Sequence, residues 1–481
     1  MSHDDATGEE RHATWSIDAD RHDRFVEISG DRNPLHVDPV VARRLAFGRI
    51  AVHGVHLALM AAEQALADRP DEATPSRISA TFRRSVTPGD PLRSRIRSEP
   101  ITTTVSVFTD VWRVADVAVE FAGPTPSASA PPPASTSKAT ATDDEPRRWT
   151  LAELEGAVGV GGDLTLPDDP TEAAQAFPAL AAAVGDAAVA ELVALSGLVG
   201  MQVPGLHSLF SSFDVRIGPG SGTAEPTWTI DRVDERFSRV ELDVDGAWVR
   251  GRVTAFVRPE PVAPTPGAVS PEPDAFAGQR WLVVGGSRGL GAVATMLLDA
   301  GGAEVCATHL GSPDAAHELI AGLRMARTVR FDVDRPADGL AAATCDGWAP
   351  THLAWFASPP IFDGAADAWS DRLHARFVEV YVDRFCEVVG ALDPSRLTGV
   401  LWPSSTAVES PVRGLAEYAV AKQRGEAACH HLRNDHAELI VSMPRFPRLA
   451  TDQTASVMPV DNAEPAPAVL AALAPFAATA G

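Results

Sequence analysis

An aspartate and a histidine five positions apart, Asp31 and His36, lie in the stretch Ser29-Gly30-Asp31-Arg32-Asn33-Pro34-Leu35-His36-Val37-Asp38. Asn33-Pro34 disfavours helix at that point, so the pair is expected in a loop. A carboxylate and an imidazole brought together by a tight turn can share one water. The carboxylate orients it, and the imidazole, with an ordinary pKa of about 6.5, takes or returns a proton near neutrality. Downstream, His53-Gly54 opens an apolar, alanine-rich helical stretch. Backbone N–H groups at a helix start are free donors that can polarise a carbonyl as charge develops on its oxygen.

A second constellation lies far along the chain. Gly285-Gly286-Ser287-Arg288-Gly289-Leu290-Gly291 follows an apolar strand and precedes a helix. Glycines there let the chain turn sharply and let a pyrophosphate approach the helix N-terminus. Tyr418-Ala-Val-Ala-Lys422 puts a phenol and an ammonium on one helix face. The ammonium is expected to lower the phenol below its usual pKa of about 10, so that it can act as acid or base near neutral pH. The chain has only two tyrosines (Tyr381, Tyr418) and two lysines (Lys138, Lys422), its other basic charge being arginine. Ser405 lies thirteen residues before Tyr418, at the end of an apolar strand.

The elements that position these groups fall into three segments, 14–123, 148–257 and 277–481. They are separated by a Pro/Ser/Ala-rich flexible linker at 124–147, which holds Lys138, and a Pro-rich linker at 258–276. The first two segments read as diverged copies. Phe82, Val86, Pro88, Gly89 and Gly54 match Phe213, Ile217, Pro219, Gly220 and Gly185 at a constant offset of 131. In each copy a long apolar helix precedes strand-rich sequence, the order of a curved antiparallel sheet around one buried helix. The second helix is expected within Phe177–Val203. At the offset of 131, Asp31 maps to Gly162 and His36 to Pro167, and no histidine precedes His207 in the second copy, so it is expected to be non-catalytic. His207 reads as a turn residue. The third segment alternates strands (280–285, 304–307, 328–331, 351–356, 399–402, 438–442) with helices, which indicates a doubly wound parallel sheet.

SGDRNPLHVDPVVARRLAFGRIAVHG resembles the signature of MaoC-like, (R)-specific enoyl-CoA hydratases of the hot-dog fold. The resemblance covers nearly all of the first segment. It implies a double hot-dog made with the second, Asp31 and His36 as the catalytic pair, and the Gly54 N–H as donor to a thioester carbonyl. The third segment resembles the short-chain dehydrogenases/reductases, and so implies a Rossmann-type sheet. By that resemblance Tyr418 gives a proton to a ketone oxygen, Ser405 binds the carbonyl, and Lys422 holds the nicotinamide ribose and tunes Tyr418. Gly285, Ser287, Arg288, Gly289, Gly291, Asp332 and Ala357 would hold the dinucleotide, with Asp332 at the adenine. Arg288 and the absence of an acid in Val305-Cys-Ala-Thr308 favour NADPH over NADH, and no metal is implied. The family's Asn-Asn-Ala-Gly is here Phe356-Ala357-Ser358-Pro359-Pro360, its helix asparagine is replaced near Tyr381, and its Pro-Gly becomes Pro444-Arg445.

Together the resemblances imply a multidomain α+β and α/β enzyme. It would pair an (R)-3-hydroxyacyl-thioester dehydratase or enoyl hydratase with a 3-ketoacyl reductase acting on acyl-CoA or acyl-carrier-protein substrates. A hydratase with a structural or nucleotide-binding third segment, and a non-catalytic acyl-carrier docking module, stay open. The length of 481 residues allows two to four domains. A charge of −23 speaks against nucleic acid and anionic membrane. Met1–Arg11 lacks signal-peptide character, and the four scattered cysteines, Cys306, Cys345, Cys386 and Cys429, are expected as reduced core thiols, so the cytoplasm is the expected location. A homodimer is compatible with all of this.

Overall fold

The structure, a computed structural model, describes residues 9–43, 48–67, 69, 73–122, 145–219, 225–260, 263–267, 269–311, 313–362, 364, 368–410, 412–454 and 460–478. Lys138, most of the first linker and Gly220 lie outside the described residues. The chain divides into two compact units, the first spanning most of residues 1–260 and the second most of 261–481.

The first unit is built on ten strands: β1 (Glu9–Trp15), β2 (Pro75–Phe82), β3 (Leu92–Ser98), β4 (Thr102–Phe108), β5 (Arg113–Phe121), β6 (Gly161–Asp163), β7 (Ser208–Ile217), β8 (Thr227–Asp234), β9 (Arg239–Asp245) and β10 (Val249–Val257). They form one antiparallel sheet in the order β1-β3-β4-β5-β2-β7-β10-β9-β8-β6. The order is a palindrome about the β2–β7 pair, and the repeat seen in the sequence accounts for it. Thr81 and Ser212, 131 positions apart, are directly paired at its centre. Alternation sets the inner face: in β3, Leu92, Ser94 and Ile96 are buried while Arg93, Arg95 and Arg97 are exposed.

Two apolar helices fill the inside of the curve. Gly54–Leu66 packs against β4 and β5 with Val55, Ala58, Leu59, Ala61, Ala62 and Ala65 buried, its alanines letting the strands come close. Its counterpart, expected as one stretch within Phe177–Val203, is broken instead. Pro178–Val184 ends at Gly185, whose φ of 87° no β-carbon-bearing residue readily adopts. Asp186–Gly197 then runs into a π-helical turn at Leu198–Gln202.

The 131 offset fails upstream of these helices. Gly162 lies in β6, the outermost strand, and not in a loop matching that of Asp31. Between the helix Ala19–Ser29 and Gly54 the first copy has 24 residues, whereas the second has nine between Pro170–Ala176 and Asp186. The second copy therefore has no equivalent of the loop that carries Asp31 and His36.

The second unit has a six-stranded, wholly parallel sheet: β11 (Arg280–Val284), β12 (Glu304–His309), β13 (Ala326–Arg330), β14 (His352–Trp355), β15 (Gly399–Leu401) and β17 (Ile440–Ser442). Two short strands, β16 (Ser404–Ser405) and β18 (Arg445–Phe446), pair beyond it. The order β13-β12-β11-β14-β15-β17 reverses direction between β11 and β14, where a crevice opens at the carboxyl ends of the strands. Among the described residues the chain closes with the helix Pro465–Leu473, packed on the helix Gly289–Ala300.

Candidate active sites

In the first unit, Asp18 caps the helix Ala19–Ser29, and Gly30, with φ 66°, ends it and turns the chain inward. Asn33 then caps a one-turn helix, Pro34–Val37, with proline in its first turn. His36 is thus in a short helix and not in open loop. The Asn-Pro restriction falls on Asn33, the cap, and leaves the residues after it free to coil.

Asn33 is buried, and its amide donates to the carbonyls of Gly200 at 2.9 Å and Gly205 at 3.1 Å. Asp31 is buried beside it. Its Oδ2 accepts from Ser196 Oγ at 2.7 Å, and its Oδ1 from the Asn33 N–H at 3.3 Å. A β-carbon at Gly200 would overlap the Asp31 carboxylate, so glycine is what lets this helix end approach. The second copy therefore supplies hydrogen bonds to both the Asp31 carboxylate and the Asn33 amide.

His36 Nδ1 lies 2.6 Å from the Ala51 carbonyl, which can only accept, so Nδ1 carries the proton and Nε2 the lone pair. The ring of His53 stacks under it at 3.7 Å, with its Nε2–H donating to the Asp31 carbonyl at 3.0 Å. His22 donates to the His36 carbonyl at 2.9 Å, and Phe25 stacks on His56 at 4.5 Å. Asp31, His36 and His53 each bring a ligand-type atom within 4.8 Å of the others, a gap that one water can bridge. Burial raises the Asp31 carboxyl above its ordinary range, against the pull of His36 and the Ser196 bond. Burial lowers His36, opposed by Asp31, lowers His53 well below its usual value, and takes His56 down to about 3.

Gly54 is the first residue of its helix, and His53 caps it without a side-chain bond, so the first-turn N–H groups keep their donor capacity. The Phe82 ring comes so close to Gly54 that a β-carbon there would meet it at 3.0 Å. Phe210 and Phe213, from the second copy, complete an aromatic cluster with Phe82. His207 is nearly buried in the Gly205–Ser208 turn, 3.7 Å from Glu260.

In the second unit the loop 285–291 joins β11 to the helix Gly289–Ala300 at the sheet's reversal point. Gly285 has φ 79°, and a β-carbon at Gly291 would overlap the Gly285 carbonyl. Ala357 N lies against Gly285 across the crevice, and Thr308 accepts from the Gly285 N–H at 3.0 Å. Ser287 is half-buried and Arg288 exposed. β-Carbons at Gly285 and Gly291 would strike neighbouring backbone, so the loop can turn this tightly only with glycine, and its form at a helix start fits a dinucleotide pyrophosphate. Asp332 caps a turn, accepting from the Asp334 N–H at 3.1 Å.

Ser405 lies near enough to Tyr418 to pull its phenol downward, against the effect of burial. Lys422 is not placed as expected. Its Nζ donates to the Pro403 carbonyl at 2.7 Å and sits over the rings of Tyr381 at 3.9 Å and Trp402 at 4.4 Å, with Tyr418 farther away at 5.7 Å. The expected lowering of the phenol is reversed: burial pushes Tyr418 up to about 12, and burial brings Lys422 down to about 7. The reason is that both groups are desolvated and the ammonium leans onto Tyr381. Tyr381 in turn shares a 2.6 Å hydrogen bond with Ser358.

Residues 4–108 match the family model described as MaoC like domain, and this stretch is a MaoC-like domain. No curated protein matches the chain. Solved structures similar to it include the angucycline C-6 ketoreductase LanV with bound NADP, with 22% identity, 43% of this chain and 91% of that one covered, and a TM-score of 0.36. A short-chain dehydrogenase from Escherichia coli CFT073 complexed with NADPH has 18% identity, 41% and 90% coverage and a TM-score of 0.37. BdcA in complex with NADPH has 24% identity, 42% and 88% coverage and a TM-score of 0.36. No helix among the described residues is long and apolar enough to cross a membrane.

Proposed function

We propose that the chain is a bifunctional enzyme: a double hot-dog (R)-specific 3-hydroxyacyl-thioester dehydratase or enoyl hydratase, joined to a Rossmann-type, NADPH-dependent 3-ketoacyl-thioester reductase. The substrates are acyl chains carried on CoA or a carrier protein. The observation that carries this reading is the water-sized gap between the Asp31 carboxylate and the His36 ring, beside the open helix start at Gly54.

In the hydration direction, Asp31, held by Ser196, accepts a hydrogen bond from the water, and His36 Nε2 takes a proton from it as its oxygen bonds to C3. Negative charge moves onto the thioester oxygen, where the Gly54 N–H and the helix start stabilise it. A proton returned to C2 completes the 3-hydroxyacyl thioester. Dehydration runs the same steps backwards. Asp31→Asn removes the carboxylate while leaving its shape, and crotonyl-CoA hydration should fall at least about a thousandfold by absorbance at the enoyl band.

In the reductase, NADPH, when bound, would supply the hydride. Ser405 holds the ketone oxygen, and Tyr418, protonated throughout the physiological range by virtue of its raised pKa, gives that oxygen its proton. The glycine loop with Ser287 and Arg288 would hold the phosphates, Asp332 would meet the adenine, and Ala357 would line the dinucleotide site. The seat of Lys422 over Tyr381 and Trp402 favours one second reading, a domain that binds nucleotide without turnover. NADPH oxidation with a short 3-ketoacyl thioester separates the two.

A further inference from the structure

Most arginines paired in this acidic chain meet a carboxylate: Arg77 lies on Asp214 and Glu120, Arg252 on Asp231, Asp243 and Glu241, and Arg376 on Asp334. Arg258, just past the end of β10, is one of those that meet backbone carbonyls instead, as Arg69 and Arg433 also do. Its half-buried guanidinium donates to two backbone carbonyls, Leu206 at 2.7 Å and Ser208 at 3.4 Å, and no carboxylate pairs with it among the described residues. Glu260, two residues on, lies by His207. The Leu206 carbonyl is shared: Asn33 Nδ2 reaches it at 3.4 Å from the other side. The cation is thereby placed next to the segment that carries Asp31 and His36, near enough for His36 to feel its charge.

We propose that Arg258 is an anion subsite of the dehydratase, binding a carboxylate carried on the acyl chain of the thioester. This rests on the thioester reading of the Asp31–His36 site. The carbonyls of Ser208 and Leu206 take the Nε and one Nη2 hydrogen, which leaves the Nη1 hydrogens and the second on Nη2 as donors for a carboxylate. Reach decides which anion. The phosphate of a pantetheine arm lies many bonds from the thioester sulfur, whereas an acyl carboxylate a few carbons beyond C3 stays close to His36.

The test is binding of two saturated, unreactive thioesters to the full-length protein by calorimetry: glutaryl-CoA, which ends in a carboxylate, and butyryl-CoA, which does not. The wild type should bind glutaryl-CoA at least about tenfold more tightly, and Arg258→Met should erase that preference while leaving butyryl-CoA within about twofold. Arg258→Lys, which keeps the charge but not the fork, should retain part of it. Equal affinity of the wild type for both thioesters overturns the proposal, and so does an equal loss for both in Arg258→Met, which would mark the arginine as a brace for the Leu206–Ser208 turn. If Arg258→Met does not fold, Arg258→Lys carries the comparison, and an undiminished preference for glutaryl-CoA in it overturns the proposal. Binding is read without turnover, so absent crotonyl-CoA hydration would count against the dehydratase reading and not against the subsite.

Discussion

Ser196 Oγ, on the helix of the second copy, donates a 2.7 Å hydrogen bond to the carboxylate of Asp31 in the first. Two residues 165 positions apart are joined at the centre of the site, and the half without a catalytic loop supplies its support.

Ser196→Ala should therefore lower hydratase kcat roughly ten- to hundredfold with a folded protein, the cost of losing a hydrogen bond to a charged group. Gly200→Ala should be worse, because its β-carbon overlaps the carboxylate. Stopped assays on crotonyl-CoA, with circular dichroism as control, measure both. Full activity in Ser196→Ala would mean that Asp31 needs no such support.

The pH profile of hydration follows from the directions of the shifts. Activity needs Asp31 ionised and His36 neutral. Burial raises the first and lowers the second, so kcat/KM should show a single acid limb, with the shift of Asp31 moving it up in pH and that of His36 keeping it from lying higher still. Activity should fall on the acid side of that limb and hold on its alkaline side. Ser196 helps to hold Asp31 down, so Ser196→Ala should move that limb to higher pH.

Stability should show the buried histidines. His36, His53 and His56 have folded values below the unfolded value of about 6.5, so the unfolded chain binds more protons beneath it. Their stabilising effect is complete above about 6.5 and is lost as pH falls, for His56 down to about 3. Asp31, Glu63 and Glu191, with raised values, work in the opposite direction, while His207 adds to the histidines. Calorimetric melting of the first unit between pH 7.5 and 5 should fall steadily, and His56→Phe, which can keep the stack on Phe25, should flatten the slope by up to one proton. A pH-independent midpoint would contradict this.

Some of this was legible in the sequence and some was not. Asp31, His36 and Gly54 lie within 24 residues of one another, so their motif could be read locally. The match of Phe82 to Phe213 marked the repeat that the palindromic sheet displays. Ser196, Gly200 and Arg258 carried no such signal, because their importance arises only from tertiary contact with a loop far away in the chain. The 131 offset misled upstream of the helices because the second copy has a much shorter connection there. The i, i+4 spacing of Tyr418 and Lys422 was read as an interaction between them. The rings of Tyr381 and Trp402, brought in from other elements, compete for the same ammonium.

In the reductase, a phenol pushed up to about 12 remains a proton donor well into alkaline pH. NADPH oxidation should hold steady from pH 8 to about 10, and Tyr418→Phe should abolish it. An alkaline decline centred near pH 8 would instead mean that Lys422 leaves its seat and tunes the phenol.

The most direct test of two working sites is to give the protein NADPH and acetoacetyl-CoA and to identify the thioesters formed by mass. The wild type should make both 3-hydroxybutyryl- and crotonyl-CoA. Asp31→Asn should stop at 3-hydroxybutyryl-CoA, and Tyr418→Phe should leave the substrate untouched. If the wild type consumes no NADPH yet hydrates crotonyl-CoA, the reductase is not functional and the chain is a hydratase alone.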